Sequence, residues 1–336
     1  MKALVYTGPE ALEMRGVPDP RPGPGEIVLA IESAGICGSD MHAYLGHDER
    51  RPAPLILGHE VCGTIVGGNG VGQRVAVNPL VTCGTCPACR EGRDNLCPDR
   101  QIISMPPREG GFAESVAIPE RNSVRLPPGM APDRAALAEP IACGWHAVRL
   151  ARAALAGSDR NTRALVFGGG AIGLGAALSL RAQGFDDVTM VEPNPLRREF
   201  LTAKCGQRVV SPDDLAAAAP FDVVIDGVGI EPTRAQASAV VRPGGVIVHI
   251  GLGSSAGGLD IRRTTLQEIA FIGTYTYTAA DFRDTVSAMT DGRLGALDWI
   301  ELRPLEAGAQ AFADIHAGRV AAPKIILKPN QVRRPP

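Results

Sequence analysis

Beyond residue 163 the texture of the chain changes, and that change restricts the possible fold more than any other feature. Apolar strands alternate with helical stretches: Ala164 to Phe167, a helix from about Ala171 to Gln183, Val188 to Glu192, Arg208 to Val210, Phe221 to Asp226, Val246 to Ile250 and Phe271 to Thr274. Val223-Val224-Ile225 and Val246-Ile247-Val248 are apolar at consecutive positions, which suits strands covered by helices on both faces. The alternation predicts an α/β unit, a doubly wound parallel sheet of about six strands. The preceding segment reads differently. Short β runs at Glu26 to Ile31, Gln73 to Val77, Gly111 to Ile118 and Ser123 to Leu126 are broken by some of the 40 Gly and 28 Pro, the pattern of a β-rich, barrel-like domain whose loops carry ligands. A chain of 336 residues accommodates both. After Tyr275 a helix is predicted over roughly Ala280 to Thr290, and the apolar strand Lys324 to Lys328 follows, with no partner named by the pattern.

At the start of the alternating region, Gly168, Gly170 and Gly173 form G-x-G-x-x-G around Ala171 and Ile172, after a strand and opening a helix. In that setting the first glycine permits a tight turn, the second lets backbone approach a pyrophosphate, and the third lets helix and strand pack closely. Free N–H groups of the helix N-terminus face the negative charge. Glu192 stands 19 residues beyond Gly173, where a carboxylate accepts hydrogen bonds from ribose hydroxyls and repels a 2′-phosphate, so NAD is expected over NADP. Arg197 and Arg198 follow; they either reach a ribose phosphate or form an exposed first helical turn.

Cysteine spacing predicts two metal sites. Cys83, Cys86, Cys89 and Cys97 form C-x2-C-x2-C-x7-C, which fits a closed tetrahedral zinc of structural type. Two disulfides are the competing reading, disfavoured by the strain of C-x2-C bridges and by an opening Met-Lys-Ala-Leu-Val-Tyr without a secretory leader. Upstream, Cys37, His59 and a carboxylate, Glu60 or Glu139, offer three protein ligands and an open fourth position, the pattern of catalytic zinc. The plainer alternatives are a packed Cys37 and a hydrogen-bonded His59. Cys62, Cys143 and Cys205 match no metal spacing and read as small packed residues.

The charge balance, 34 basic against 36 acidic residues, provides no field for a nucleic acid partner. No run of about 18 apolar residues indicates a membrane span. A cytoplasmic protein is expected, where thiols stay reduced.

Taken together, Gly35-Ile36-Cys37-Gly38-Ser39-Asp40 with His42, Gly58-His59-Glu60, the four-cysteine run, Leu137 to Pro140 and Gly168 to Gly173 resemble zinc-containing medium-chain dehydrogenases of the alcohol dehydrogenase family, near its sorbitol and threonine dehydrogenase branch. The resemblance implies a GroES-like catalytic domain over residues 1–137 and 279–336, with a structural zinc lobe at about 80–100, and a Rossmann dinucleotide domain over 138–278. It also implies two zinc ions per chain. Cys37 and His59 would bind the catalytic ion, with Glu60 or Glu139 completing the set or holding its water. Asp40 would orient His59, and Ser39 would pass the substrate proton towards His42 and solvent. One departure is the segment Thr64 to Gly72, shorter than the family connection. The expected activity is hydride transfer between a secondary alcohol (polyol, sugar or small hydroxy compound) and NAD, in a homo-oligomer, dimer or tetramer. Rival readings are an aldehyde or primary-alcohol dehydrogenase of the same fold and a non-catalytic nucleotide-binding zinc protein.

Overall fold

The computed structural model describes residues 1–155, 162–217 and 220–329; the last seven residues of the expected GroES-like domain, 330–336, lie outside the described residues. The chain divides into two compact units. The first opens with β1 (Lys2–Gly8), β2 (Ala11–Gly16), β3 (Glu26–Gly35), α1 (Gly38–Tyr44), β4 (Leu55–Ile56), β5 (Glu60–Gly67), β6 (Arg74–Val77), β7 (Leu80–Val81), α2 (Pro87–Arg90), β8 (Gln101–Ile102), β9 (Ser115–Pro119), β10 (Ser123–Arg125) and α3 (Pro132–Ala135). Helix α4 (Ala138–Ala154) leads into the second unit, built from β11 (Arg163–Phe167), α5 (Ala171–Ala182), β12 (Asp187–Val191), α6 (Pro195–Ala203), β13 (Arg208–Val210), β14 (Phe221–Asp226), α7 (Glu231–Val240), β15 (Val241–His249), α8 (Ile261–Leu266) and β16 (Ala270–Gly273). The first unit resumes with α9 (Ala279–Thr290), β17 (Ile300–Pro304), α10 (Gly308–His316) and β18 (Lys324–Lys328).

In the first unit β3 is the hub. Its alternating pattern buries Ile27, Leu29 and Ile31, as a strand with one face on a core requires. It pairs antiparallel with β5, β9 and β18, in a sheet ordered β10-β6-β5-β3-β18-β17 with β9 off that path. The short Thr64 to Gly72 connection is a tight hairpin closed by Gly72 N–H to Ile65 O at 2.8 Å. At the far end of β3, Gly35 faces Glu60 on one side and Ile326 on the other. Beneath this corner Tyr44, Phe312 and Phe112 stack, with centroids 5.2 and 5.9 Å apart, so α10 supports the base of α1.

In the second unit all strand pairs are parallel, in the order β13-β12-β11-β14-β15-β16. Every residue of β14 is buried, which is why its sequence shows no polar face. The order reverses direction between β11 and β14, the switch point at which open α/β sheets bind ligands beyond the carboxyl ends of their strands. Gly292–Trp299 groups with this unit rather than with the first. Leu294, Leu297 and Trp299 are buried there, and the Arg293 guanidinium lies 5.5 Å from the Trp145 ring centroid; apolar burial holds the segment in this unit. Among the described residues no helix is long and apolar enough to cross a membrane.

Candidate active site

The end of β3, the start of α1 and the start of β5 converge on a cup. One ligand atom each from Cys37, His59 and Glu60 lies within 4.8 Å of the others, and ligands on a tetrahedral zinc stand about 3.3–3.8 Å apart. Cys37 caps α1, and its backbone N–H donates to Asp40 Oδ2 at 3.0 Å. Asp40 Oδ1 accepts from Gly58 N–H at 3.2 Å and faces His59 Nδ1 at 3.5 Å. Ser104 Oγ also approaches Nδ1, at 3.4 Å. Both contacts involve Nδ1, so Nε2 is the ring nitrogen available to a metal. Burial opposes charge on this ring, but Asp40 and Cys37 outweigh it and raise the His59 pKa well above its ordinary value. Burial likewise opposes the Asp40 carboxylate, and His59, Arg51 and the Cys37 N–H reverse the effect and lower its pKa.

Glu60 is fully buried. Its Oε1 accepts from Lys324 Nζ at 2.5 Å, and the same ammonium donates to Ile36 O at 2.7 Å. Its Oε2 is buried without a hydrogen-bond partner. A buried carboxylate oxygen left in that state calls for a cation, so the residues fit a metal. Gly35 makes room for it: a Cβ there would lie 1.9 Å from Glu60 Oε2. Lys324 is 4 % exposed; burial would lower its pKa, but Glu60, Cys37 and Glu139 together raise it. Glu139 is buried and lies outside the three-ligand cluster, acting on Lys324 through its charge. On α1, Ser39 is half-buried and His42, three residues on, is exposed. The two share a helix face, and no hydrogen bond joins them among the described residues.

The second cluster is compact. Ligand atoms of Cys83, Cys86, Cys89 and Cys97 lie within 4.8 Å of one another, with Cys83 and Cys89 Sγ atoms 4.0 Å apart. Cys86 and Thr85 N–H groups point at Cys83 Sγ, at 3.3 and 3.5 Å; these and the Thr85 hydroxyl bring its pKa down to about 6. Burial and neighbouring sulfurs push Cys89 up to about 12. Four sulfurs this close ionise together only around a cation. The lobe is tied outward by Asp94, whose carboxylate accepts from Ala279 N–H at 3.1 Å, at the first turn of α9.

In the second unit the fingerprint adopts the form its spacing predicts. Gly168 has φ +97°, a Cβ on Gly170 would meet open space, and a Cβ on Gly173 would lie 1.8 Å from Gly168 O. Ala171 and Ile172 open α5. Glu192 Oε2 accepts from Gly169 N–H at 2.7 Å and Oε1 from Asn194 N–H at 2.8 Å, so the acid braces the loop and retains lone pairs for further donors. Arg197 lies in the first turn of α6, capped by Asn194 Oδ1. Arg198 donates to the carbonyls of Glu192 and Pro193 at 2.9 and 2.6 Å, which holds its guanidinium on backbone.

The sequence reading missed Lys324 and Ser104. The one available signal was Lys324-Ile325-Ile326-Leu327, a strand without a polar face, in which a lysine must be buried with a partner.

A parallel dinucleotide-type sheet, inserted into a β-rich unit that carries two thiol-containing clusters able to hold a metal ion, is the arrangement of a metal-dependent dehydrogenase. Residues 23–128 match the alcohol dehydrogenase GroES-like domain, and residues 171–291 match the zinc-binding dehydrogenase domain. The chain is 34% identical over 311 residues to L-galactonate-5-dehydrogenase of Escherichia coli strain K12, covering 88% of this chain and 89% of that protein. Among solved structures, L-idonate 5-dehydrogenase of Escherichia coli K-12 superposes with a TM-score of 0.83 at 26% identity, covering 97% of both chains. A putative zinc-binding dehydrogenase of Sinorhizobium meliloti 1021 bound to NADP gives 0.86 at 28% identity, over 98% of this chain and 99% of that one. The chain belongs to the zinc-containing medium-chain dehydrogenase family.

Proposed function

We propose that this dehydrogenase oxidises a secondary hydroxyl of a polyol, sugar or small hydroxy compound with NAD, and reduces the corresponding ketone. Sugar acids lead the list of substrates to test, since two of the relatives named above are sugar-acid 5-dehydrogenases. The observation that carries the reading is Glu60: its Oε2 is buried without a hydrogen-bond partner, and its carboxylate lies within 4.8 Å of the ligand atoms of a thiol and an imidazole. Cys37, His59 and Glu60 would hold one zinc, with Glu139 nearby and Asp40 fixing the His59 tautomer; Cys83, Cys86, Cys89 and Cys97 would hold a second, closed and structural. When bound, zinc supplies a Lewis acid for the alcohol oxygen, and NAD supplies the hydride acceptor.

The remaining work falls to side chains. Ser39 Oγ takes the hydroxyl proton and passes it towards His42, whose exposure on α1 delivers it to solvent. The N–H groups at the start of α5 receive the pyrophosphate. Glu192 selects NAD over NADP, supported by its place at the end of β12 and by the engagement of Arg198 with backbone carbonyls. Eight unbridged cysteines support a reducing, cytoplasmic setting. Strand β16 pairs on one side and carries exposed Phe271, with Leu266 and Ile261 exposed on the helix before it. An open edge of this kind favours a homo-oligomer.

Metal analysis combined with a substrate panel tests the proposal. The purified protein should hold two zinc ions per chain and generate NADH absorbance with polyols or sugar acids in preference to primary alcohols. A single ion per chain and no turnover would instead indicate a nucleotide-binding protein with scaffolding zinc.

A further inference from the structure

Arg234 is the fourth residue of α7 and is 6 % exposed. Its Nε donates to Gly257 O at 2.6 Å, its Nη1 to Gly229 O at 3.0 Å and Ser254 O at 3.1 Å, and its Nη2 to Ser254 Oγ at 2.7 Å and to Ala256 O. A guanidinium has five N–H donors, and every one is engaged. None meets a carboxylate. A buried charge is ordinarily balanced by an opposite charge, so a full fork placed on neutral oxygens indicates that its task is to order the segment carrying them.

That segment has little else to hold it. Residues 252–257 are all exposed, and Leu252, the large apolar side chain among them, is 76 % exposed. Glycine, serine and alanine make up the rest, so no core anchors the loop. What fixes it besides Arg234 is backbone pairing with the turn after β14: Gly253 N–H to Val228 O at 3.2 Å and Ser254 N–H to Gly229 O at 2.8 Å. The turn is in turn pinned by Asp226 Oδ1, which accepts from Val228 and Gly229 N–H at 3.0 and 2.8 Å. Arg234 bonds both partners, the turn through Gly229 O and the loop through Ser254, Ala256 and Gly257.

The place of these loops in the sheet gives the brace its meaning. They leave the carboxyl ends of β14 and β15, on the side of the switch point opposite Gly168, Gly173 and Glu192. A doubly wound sheet of this order is two mononucleotide-binding halves. The fingerprint and Glu192 belong to the half that takes adenosine, which leaves β14 to β16 for the nicotinamide nucleotide. We infer that Arg234 is a positioning residue for the nicotinamide half of the cofactor, holding the β15 loop in the conformation that receives it. This inference rests on the dinucleotide reading of the same unit.

Binding measurements on the full-length protein test it, with NADH and AMP as separate probes. Arg234→Met should weaken NADH by about tenfold or more, since the loop must then be ordered on binding, while AMP, which occupies the adenosine half alone, binds as in wild type. Arg234→Lys, with the charge and three donors retained, should fall between the two. Unchanged NADH affinity in Arg234→Met overturns the inference, and so does an equal loss for NADH and AMP, which marks a general role in folding. If Arg234→Met does not fold, Arg234→Lys decides: weaker NADH with unchanged AMP supports the assignment, and wild-type binding of both refutes it. A wild-type protein that binds neither probe removes the dinucleotide reading and this inference with it.

Discussion

Lys324→Met is the sharpest test of how the metal cup is balanced. The substitution keeps an apolar side chain of similar length and removes an ammonium bonded to Glu60 Oε1 and Ile36 O. Glu60 is fully buried and Lys324 nearly so, so the carboxylate loses its counter-ion without gaining water. Breaking one side of a buried pair costs about 3–5 kcal/mol, and that range includes the orphaned carbonyl. For a unit of this size each kcal/mol moves the unfolding midpoint by about 2–4 °C, so the metal-stripped variant should melt roughly 6–20 °C below stripped wild type. On the proposed ligand set zinc would offer Glu60 a second cation, so the loss should shrink when the protein is loaded. Equally, the variant should bind zinc more tightly than wild type, because a competing positive charge has gone. Calorimetry of stripped and loaded protein, with a chelator competition for zinc affinity, reads both effects. A loss below about 1 kcal/mol in the stripped state, or the same loss with and without zinc, would refute the idea that Lys324 and a bound metal share the task of balancing Glu60.

Two further outcomes follow from local geometry. Gly173→Ala places a methyl 1.8 Å from Gly168 O and forces α5 away from β11; NADH binding should weaken by at least about tenfold, more than 1.4 kcal/mol, with zinc content unchanged, and wild-type NADH affinity would contradict the close-packing role. Asp48 is paired with Arg50 and Arg51; burial raises its pKa, but these arginines bring it from 3.8 down to about 2. A lowered acid stabilises the fold above its unfolded value and loses that contribution as pH falls through the folded one. Asp48→Asn should therefore lower stability at neutral pH by about 1 kcal/mol, allowing for solvent screening, with the gap to wild type closing between about pH 4 and pH 2. A gap that stays constant in denaturation curves across that range argues against the pairing.

How much of this was legible in the sequence depends on the distance between the residues involved. Val223-Val224-Ile225 announced a strand buried on both faces because a parallel strand needs no polar side, and β14 is that strand. The glycine fingerprint was readable because turn, approach and packing all lie within six residues, Gly168 to Gly173. Cys37 and His59 could be singled out by type, but the choice between Glu60 and Glu139 could not be made from spacing. What brings Glu60 together with Cys37 and His59 is the register that sets Gly35 opposite Glu60 across β3 and β5, and no local pattern prints that register. The same holds for Lys324, which reaches the cup through the pairing of β18 with β3. Gly292–Trp299 groups with the second unit for a related reason: its buried Leu294, Leu297 and Trp299 choose their neighbours in space, which no local pattern shows.

The remote origin of Lys324 has a temporal side. It lies 264 residues after Glu60, and ribosomes add roughly 5–20 residues each second, so the nascent chain carries Cys37, His59 and Glu60 for about 13–53 seconds before the ammonium exists. Throughout that interval Lys324 is not yet there to compete with dissolved metal for the Glu60 carboxylate. Once β18 docks, any newcomer must contend with a cation already attached to the polypeptide, so a cup filled during translation and one filled afterwards start from different competitors.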